Sequence, residues 1–416
     1  MYQWRIKLSI FINYFVFAIL LNSVGTVILQ VQNNYGVTQS AAAVLEPFKD
    51  LSIAIVSFII SSFITKIGYK KSMLIALAFI SLVCFSMPYT NSFFATKLLF
   101  AAIGSSFALI KISVYSTIGL VTRSEKEHIS LMNFVESFFM VGILAGYFIF
   151  SYFVNDKDPH STAWLKVYVW LGACTTFAFI LLLSARLDES KAQQQVQKIS
   201  LAKSVGEMFQ LIVSPIVLIF IACAFFYVLI EQSIMSWLPT FNSQVLKLPT
   251  TLSIEMASIL AGSTAAGRFL AGLVLKKLNW FTALFLCLIL ATILVLVAIP
   301  LAQKTTGQPI TGWATAPIAA FIFPMIGLLI APIYPAINSV ILSTLSVEKQ
   351  GVMSGLIIIF SALGGTTGSL ITGNIFQYYG GIQAFYFSLV PITILALCLF
   401  IFRKLQLKYK QQQSQV

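Results

Sequence analysis

The chain has 416 residues, of which 58% are hydrophobic and only 9% charged. A soluble domain carries roughly a quarter charged residues, so this composition excludes a water-soluble globule. The formal net charge of +13 does not point to nucleic acid, because the basic residues punctuate apolar runs and form no contiguous stripe on a soluble module.

Apolar runs long enough to cross a hydrocarbon core of about 30 Å recur along the whole chain. They predict twelve spans, near residues 8–31, 41–65, 72–91, 94–121, 129–153, 164–186, 212–240, 251–275, 281–302, 314–343, 350–378 and 382–402. The first run exceeds a signal-peptide core and lacks a small-residue cleavage pattern, so it is expected to be retained. The second opens with "VLEPFKDLS", which places Glu46, Lys49 and Asp50 at i, i+3 and i+4 on one helical face. That face is expected to look into a bundle or a wet cavity, with Pro47 bending the helix.

The fourth span carries Lys111 in "GSSFALIKISVYSTIG", with Tyr115 one turn on, and the fifth carries Glu136 in "LMNFVESFFMVG". An ionisable residue inside the membrane costs at least about 2.5–3.5 kcal/mol on insertion scales and marks a functional position. In this half three acids meet two bases, which leaves one carboxylate without a cationic partner. Two adjacent carboxylates do not both ionise at low cost, so Glu46, Asp50 and Glu136 are the candidates for carrying a proton. The alternative is a closed structural network of ion pairs. Lys111 is expected to pair with one of the carboxylates.

The longest polar connection, "LDESKAQQQVQKISLAKSVG" (187–206), splits the spans six and six. This gives a bundle at 1–186, a linker at 187–211, a second bundle at 212–402 and a tail at 403–416. The seventh span, "FFYVLIEQSIMSWLPTFNSQ", presents Glu231, Gln232 and Trp237 on a helix expected to face substrate and to break at its outer end. A tryptophan anchored at the membrane interface is the other reading of Trp237. Arg268, in "TAAGRFLAG" of the eighth span, is expected to form a structural or gating ion pair. The small-residue surface of the eleventh span, with Gly364, Gly365 and Gly368, suits close helix packing.

Loops on one side hold Arg5, Lys7, Lys66, Lys70, Lys71, Arg123, Lys126, Arg186, Lys191, Lys198, Lys203, Lys276, Lys277, Lys349, Arg403, Lys404, Lys408 and Lys410. The other side holds only Lys97, Lys157, Lys166, Lys247 and Lys304. The positive-inside rule then puts both termini in the cytoplasm. Cys84, Cys174, Cys223, Cys287 and Cys398 each lie alone in an apolar run, and His128 and His160 lie in loops, so no metal-ligand spacing exists. No phosphate-binding loop of the GxxxxGK[ST] type occurs. No cofactor, no enzymatic activity and no nucleic-acid partner is expected, and transport draws on a gradient.

Twelve helices in two parallel six-helix halves, each with a basic turn after its second span ("TKIGYKKSML" and "GRFLAGLVLKKLNW"), is the layout of the major facilitator superfamily. Within it the chain resembles the fucose permease (fucose–galactose–hexose–proton symporter) branch. The resemblance is carried by "NYFVFAILLNSVGTVILQVQNNYGVT", "FFYVLIEQSIMSWLPTF", "GRFLAG", "IAPIYPAINSVILSTL" and "SGLIIIFSALGGTTGSLITG". It implies alternating access around a sugar-sized cavity, with proton-coupled uptake. It places Asn22 at a substrate-contacting position and Glu136 where the family has a substrate-binding Gln. The family's protonatable first-span Asp falls at about Gly25–Thr26, and its fourth-span Glu falls beside Leu109–Lys111. Coupling is therefore expected to have moved to Glu46, Asp50 or Glu136, and Lys49 or Lys111 to neutralise an anionic substrate.

The expected protein is a monomeric importer of a sugar or sugar derivative in the inner (cytoplasmic) membrane, with protons and the lipid bilayer as its other partners. Its cavity is expected to be lined by Asn22, Glu46, Lys49, Asp50, Lys111, Tyr115, Glu136, Glu231, Gln232 and Trp237. A proton-driven exporter is the alternative, although "MVGILAGYFIF" lacks the proline of the GxxxGPxxGG motif of drug antiporters. A non-transporting receptor is more remote, because the tail after Arg403 is only "KLQLKYKQQQSQV".

Overall fold

A computed structural model describes residues 3–61, 64–122, 125–189, 206, 208, 210–275, 277–303, 310–344 and 347–413, and all regular structure among them is helical. Most of the expected linker at 187–211 lies outside these residues, as do Arg123, Lys276 and Lys304 of the charge pattern. Eleven helices among the described residues are long and apolar enough to cross a membrane. The expected second span is not one of them. The described stretch Leu45–Ser61, which residues 62–63 bound, has 17 residues and carries Glu46, Lys49 and Asp50.

The chain divides into two compact units. Unit 1 holds Met1–Val37 with Val44–Leu201, and unit 2 holds Thr38–Ala43 with Ala202–Val416. Thr38–Ala43, counted with the first bundle from sequence, thus groups with unit 2.

In unit 1 the expected first span is two helices, α1 (Gln3–Asn22) and α2 (Val24–Tyr35). At the joint, Asn22 Nδ2 donates to the Ala18 carbonyl at 2.9 Å, and Ser23 Oγ donates to the Leu20 carbonyl at 2.7 Å. Such back-bonding to the preceding turn competes with the backbone ladder and bends helices. Gly36, in the left-handed region at φ 63°, ends α2.

A short helix α3 (Gln39–Ala42) belongs to unit 2. Unit 1 resumes with α4 (Leu45–Ser61) and α5 (Ile64–Ile67). Pro47 does not kink α4, contrary to the sequence expectation. It sits in the first turn, where a backbone N–H has no intrahelical partner to lose.

Then come α6 (Tyr69–Thr90), α7 (Phe93–Val121), α8 (Glu125–Tyr152) and α9 (Lys166–Ser184). Ser92 caps α7 by accepting from the Ala95 N–H at 3.1 Å. Gly104 sets how closely α7 approaches α4. A Cβ there would stand 2.3 Å from the Lys49 carbonyl oxygen, so only glycine fits. Large apolar side chains such as Leu82, Phe177 and Ile180 stand exposed on unit 1, and lipid is the solvent that covers such surfaces.

The basic turn before α6 is tied down by the start of the linker. Glu189 accepts from the backbone N–H groups of Tyr69 at 2.8 Å and Lys70 at 2.7 Å, at the positive end of α6. Lys70 Nζ donates to the Leu183 and Ala185 carbonyls at the C-terminal end of α9. Glu189→Ala is expected to cost about 1–2 kcal/mol, as loss of a helix cap does. Thermal unfolding in detergent checks this, and an unchanged midpoint would refute the capping role.

In unit 2, α10 (Pro215–Gln244) runs unbroken through Pro239, so the break expected from sequence is absent. It is followed by α11 (Thr250–Val274) and α12 (Trp280–Gln303). The tenth span comes in pieces: α13 (Ala319–Ile322), a 3-10 turn at Phe323–Met325, α14 (Ile326–Ile330) and α15 (Ile333–Thr344). Pro324, Pro332 and Pro335 fall among these pieces, and each withholds a backbone donor. The unit ends with α16 (Val347–Tyr379), α17 (Gly381–Tyr386) and α18 (Leu389–Gln413).

Gly364 and Gly368 press α16 onto α10. A Cβ at either would lie 2.4 Å from the carbonyl oxygen of Phe225 or Leu229, respectively. The α3 segment joins this unit through Ser40, whose N–H and hydroxyl both donate to Gln377 Oε1, at 3.1 and 2.5 Å. Gln39 Nε2 donates to Gln244 Oε1 at 3.3 Å.

Candidate functional site

The predicted site residues fall into two sets, one in each unit. Asn22, Glu46, Lys49, Asp50, Lys111, Tyr115 and Glu136 lie in unit 1. Glu231, Gln232, Trp237 and Arg268 lie in unit 2.

On α4 the shared face is real. Lys49 Nζ lies 2.5 Å from Glu46 Oε1 and 3.4 Å from Asp50 Oδ1. Glu46 is fully buried, Lys49 is 6% exposed and Asp50 7%. One ammonium therefore serves two carboxylates. With all three ionised these three side chains sum to one negative charge, which a single proton cancels.

The helical repeat of α7 puts Phe107, Lys111 and Tyr115 on one face, four residues apart. Tyr115 donates its hydroxyl to Glu136 Oε1 of α8 at 2.7 Å. Tyr14 of α1 packs among them, with ring centroids 5.7 Å from Phe139, 6.2 Å from Tyr115 and 6.3 Å from Phe107. Phe107 and Phe139 are 6.0 Å apart. Three helices thus wall a polar spot with aromatic rings.

The ion pair expected for Lys111 is not formed. Among the described residues no carboxylate oxygen lies within 4.0 Å of its Nζ; the Glu136 carboxylate acts on it from farther off, and the Phe107 and Tyr115 rings stand 5.9 and 6.0 Å away. Tyr115's phenol takes the short contact to Glu136 instead. Tyr115→Phe is expected to lower stability by about 1.5–3 kcal/mol, the range for a hydrogen bond to a charged group. A thermal melt reads it, and no shift would mean that the bond contributes nothing. Asn22 spends its amide on its own helix at the Ala18 carbonyl.

In unit 2 Tyr227 donates its hydroxyl to Glu231 at 2.8 Å, and Arg268 Nη2 lies 3.8 Å from the same Glu231 oxygen. Tyr227 stacks on Tyr334 with centroids 5.3 Å apart, and the Tyr334 hydroxyl lies 2.9 Å from Ser361 Oγ. Gln232 is half-buried beside this group. Trp237 is fully buried: its indole N–H reaches the Ser369 carbonyl and hydroxyl, each at 3.2 Å, and its ring stacks on Phe376 at 5.5 Å. That side chain is held by packing in unit 2.

Sequence reasoning missed Tyr14, Phe107 and Phe139 around Lys111, and Tyr227 and Tyr334 beside Glu231. Phe107 was findable, since it precedes Lys111 by one helical turn. Phe139 and Tyr227 were findable in the same way, one turn from Glu136 and Glu231, whereas Tyr14 and Tyr334 come from other helices and no local signal links them.

The sequence pattern of the Major Facilitator Superfamily matches residues 8–369. The chain belongs to that family. It is a multi-pass membrane transport protein and not an enzyme. Among curated protein sequences none matches it.

Solved structures share the fold at low identity. A bacterial homologue of the human lysosomal transporter Spinster, inward-facing and occupied, is 15% identical with a TM-score of 0.78, covering 98% of each chain. The nucleoside transporter NupG is 13% identical with a TM-score of 0.72, covering 97% of this chain and 98% of its own. A substituted form of the E. coli fucose:proton symporter FucP is 14% identical with a TM-score of 0.59, covering 98% and 99%.

Proposed function

We propose that this protein is a secondary active transporter that takes up a sugar or sugar derivative together with protons, by alternating access. In this reading the α3–α4 region supplies a twelfth crossing, both termini are cytoplasmic, and the membrane is the inner one. The observation that carries it is the charge set inside unit 1, with three carboxylates, two lysines and one ammonium shared by two acids. An intramembrane cluster of this kind is costly and marks a substrate or ion pathway. The sugar-type assignment draws support from the aromatic walls around Lys111 and Glu136, since sugar C–H faces pack on rings while hydroxyls need charged or polar acceptors. The FucP and NupG neighbours lend fold-level support.

Glu46, Asp50 and Glu136 are the coupling candidates. A proton on the α4 triad cancels its surplus negative charge. Its release restores that charge when the site opens to water on the far side.

The test is uptake by proteoliposomes under an imposed inward proton gradient, across neutral sugars, acidic sugars and nucleosides. Accumulation of a sugar that a protonophore abolishes is the expected result. Accumulation only of nucleosides, or accumulation indifferent to the protonophore, would contradict it. Net extrusion of preloaded substrate under the same inward gradient would favour the exporter.

A further inference from the structure

We infer that the unit 1 site takes a polyhydroxylated monocarboxylate, a sugar acid, whose carboxylate docks on Lys111. This rests on the sugar-transport reading above and narrows its substrate class.

Lys111 lies ten residues from the nearer end of α7, Val121, so its Cα stands about 15 Å along the axis from that end. With α7 centred on a hydrocarbon core of about 30 Å, the Lys111 Cα stands about 9 Å inside its edge, farther than a lysine stem reaches. Its charge therefore has to be met inside the bundle. Lys49 is met by two carboxylates at 2.5 and 3.4 Å, whereas Lys111 has none within 4.0 Å among the described residues. The two rings near its Nζ, at 5.9 and 6.0 Å, stand at the outer limit of cation–π contact and accept none of its three protons at hydrogen-bonding range. The site thus holds a cation with donors to spare.

The rest of the site describes the rest of the ligand. Glu136 is an acceptor already oriented by Tyr115 at 2.7 Å, and a carboxylate so held accepts hydrogen bonds from hydroxyls. Tyr14, Phe107 and Phe139 pack on one another beside this acceptor, an aromatic surround of the kind that suits a ring's C–H face. A single lysine is a point charge that suits one carboxylate. A phosphate dianion calls for more cations or a bidentate arginine, and among the described residues Lys111 is the one cation standing over the Phe107 and Tyr115 rings. A neutral hexose would leave the ammonium with no carboxylate within 4.0 Å among the described residues.

The experiment is equilibrium binding to the full chain in detergent, with galacturonate, gluconate, galactose and glucose 6-phosphate as probes, for wild type, Lys111→Gln and Lys111→Arg. At least one of the two acids is expected to bind wild type more tightly than galactose does. Lys111→Gln is expected to weaken that acid about tenfold or more, and Lys111→Arg to retain most of it. Binding of galactose or of glucose 6-phosphate with neither acid bound overturns the inference and leaves sugar transport standing. Equal acid affinity in Lys111→Gln and wild type also overturns it. If Lys111→Gln does not fold, the wild-type ranking and Lys111→Arg decide the matter by the same criteria. If no probe binds and no sugar accumulates in proteoliposomes, the transport reading and this inference fail together.

Discussion

Replacing Lys49 with methionine is expected to cost about 3–5 kcal/mol of stability, the penalty for stranding buried charge. Lys49 is the shared partner of Glu46 and Asp50, and Glu46 has no exposed surface. Removing the ammonium leaves two carboxylates within one helical turn. The triple change Glu46→Gln, Lys49→Met and Asp50→Asn is expected to recover much of the loss, because a fully neutral set no longer buries net charge. Thermal unfolding of both variants reads the difference. A Lys49→Met midpoint equal to wild type would show that the triad is solvated and does not behave as a buried cluster.

The second large effect is on transport. Glu46→Gln or Asp50→Asn is expected to abolish uphill, pH-driven accumulation while leaving counterflow at equal pH intact. The two assays separate because exchange requires only that the loaded carrier reorient, whereas net coupled flux requires a proton to leave. Glu136→Gln is expected to weaken substrate binding through loss of the acceptor that Tyr115 orients. Retained accumulation in both α4 variants would remove the triad from the coupling path. Loss of accumulation in Glu136→Gln alone, with counterflow intact, would place the proton on α8.

What the sequence revealed and what it hid follow from the range of the interactions. Glu46, Lys49 and Asp50 were legible as a group because their geometry is set within one helix, and the structure joins all three. The family was legible because hydropathy and basic turns are one-dimensional signals. Glu136 and Tyr115 were each visible as unusual residues, but their bond crosses from α7 to α8, and sequence spacing carries no register between helices.

Two prolines show the limit of local rules. Pro47 looked like a kink and lies in a first turn, and Pro239 looked like a stop and lies within a continuing helix. The effect of a proline depends on where the helix begins, and boundaries are the least legible feature of a sequence. Trp237 shows the same limit of range: its indole N–H bonds to Ser369, 132 positions away, which no local pattern encodes.

The most direct test of the account is whether a proton moves with the sugar through the α4 carboxylates. Proteoliposomes are prepared at equal pH on both sides, and external pH is followed with a dye as the transported sugar is added outside. Wild type is expected to alkalinise the medium at once. Glu46→Gln and Asp50→Asn are expected to give no pH change while still exchanging labelled sugar. A silent dye in wild type during measurable uptake, or an unchanged alkalinisation in both variants, would contradict the account.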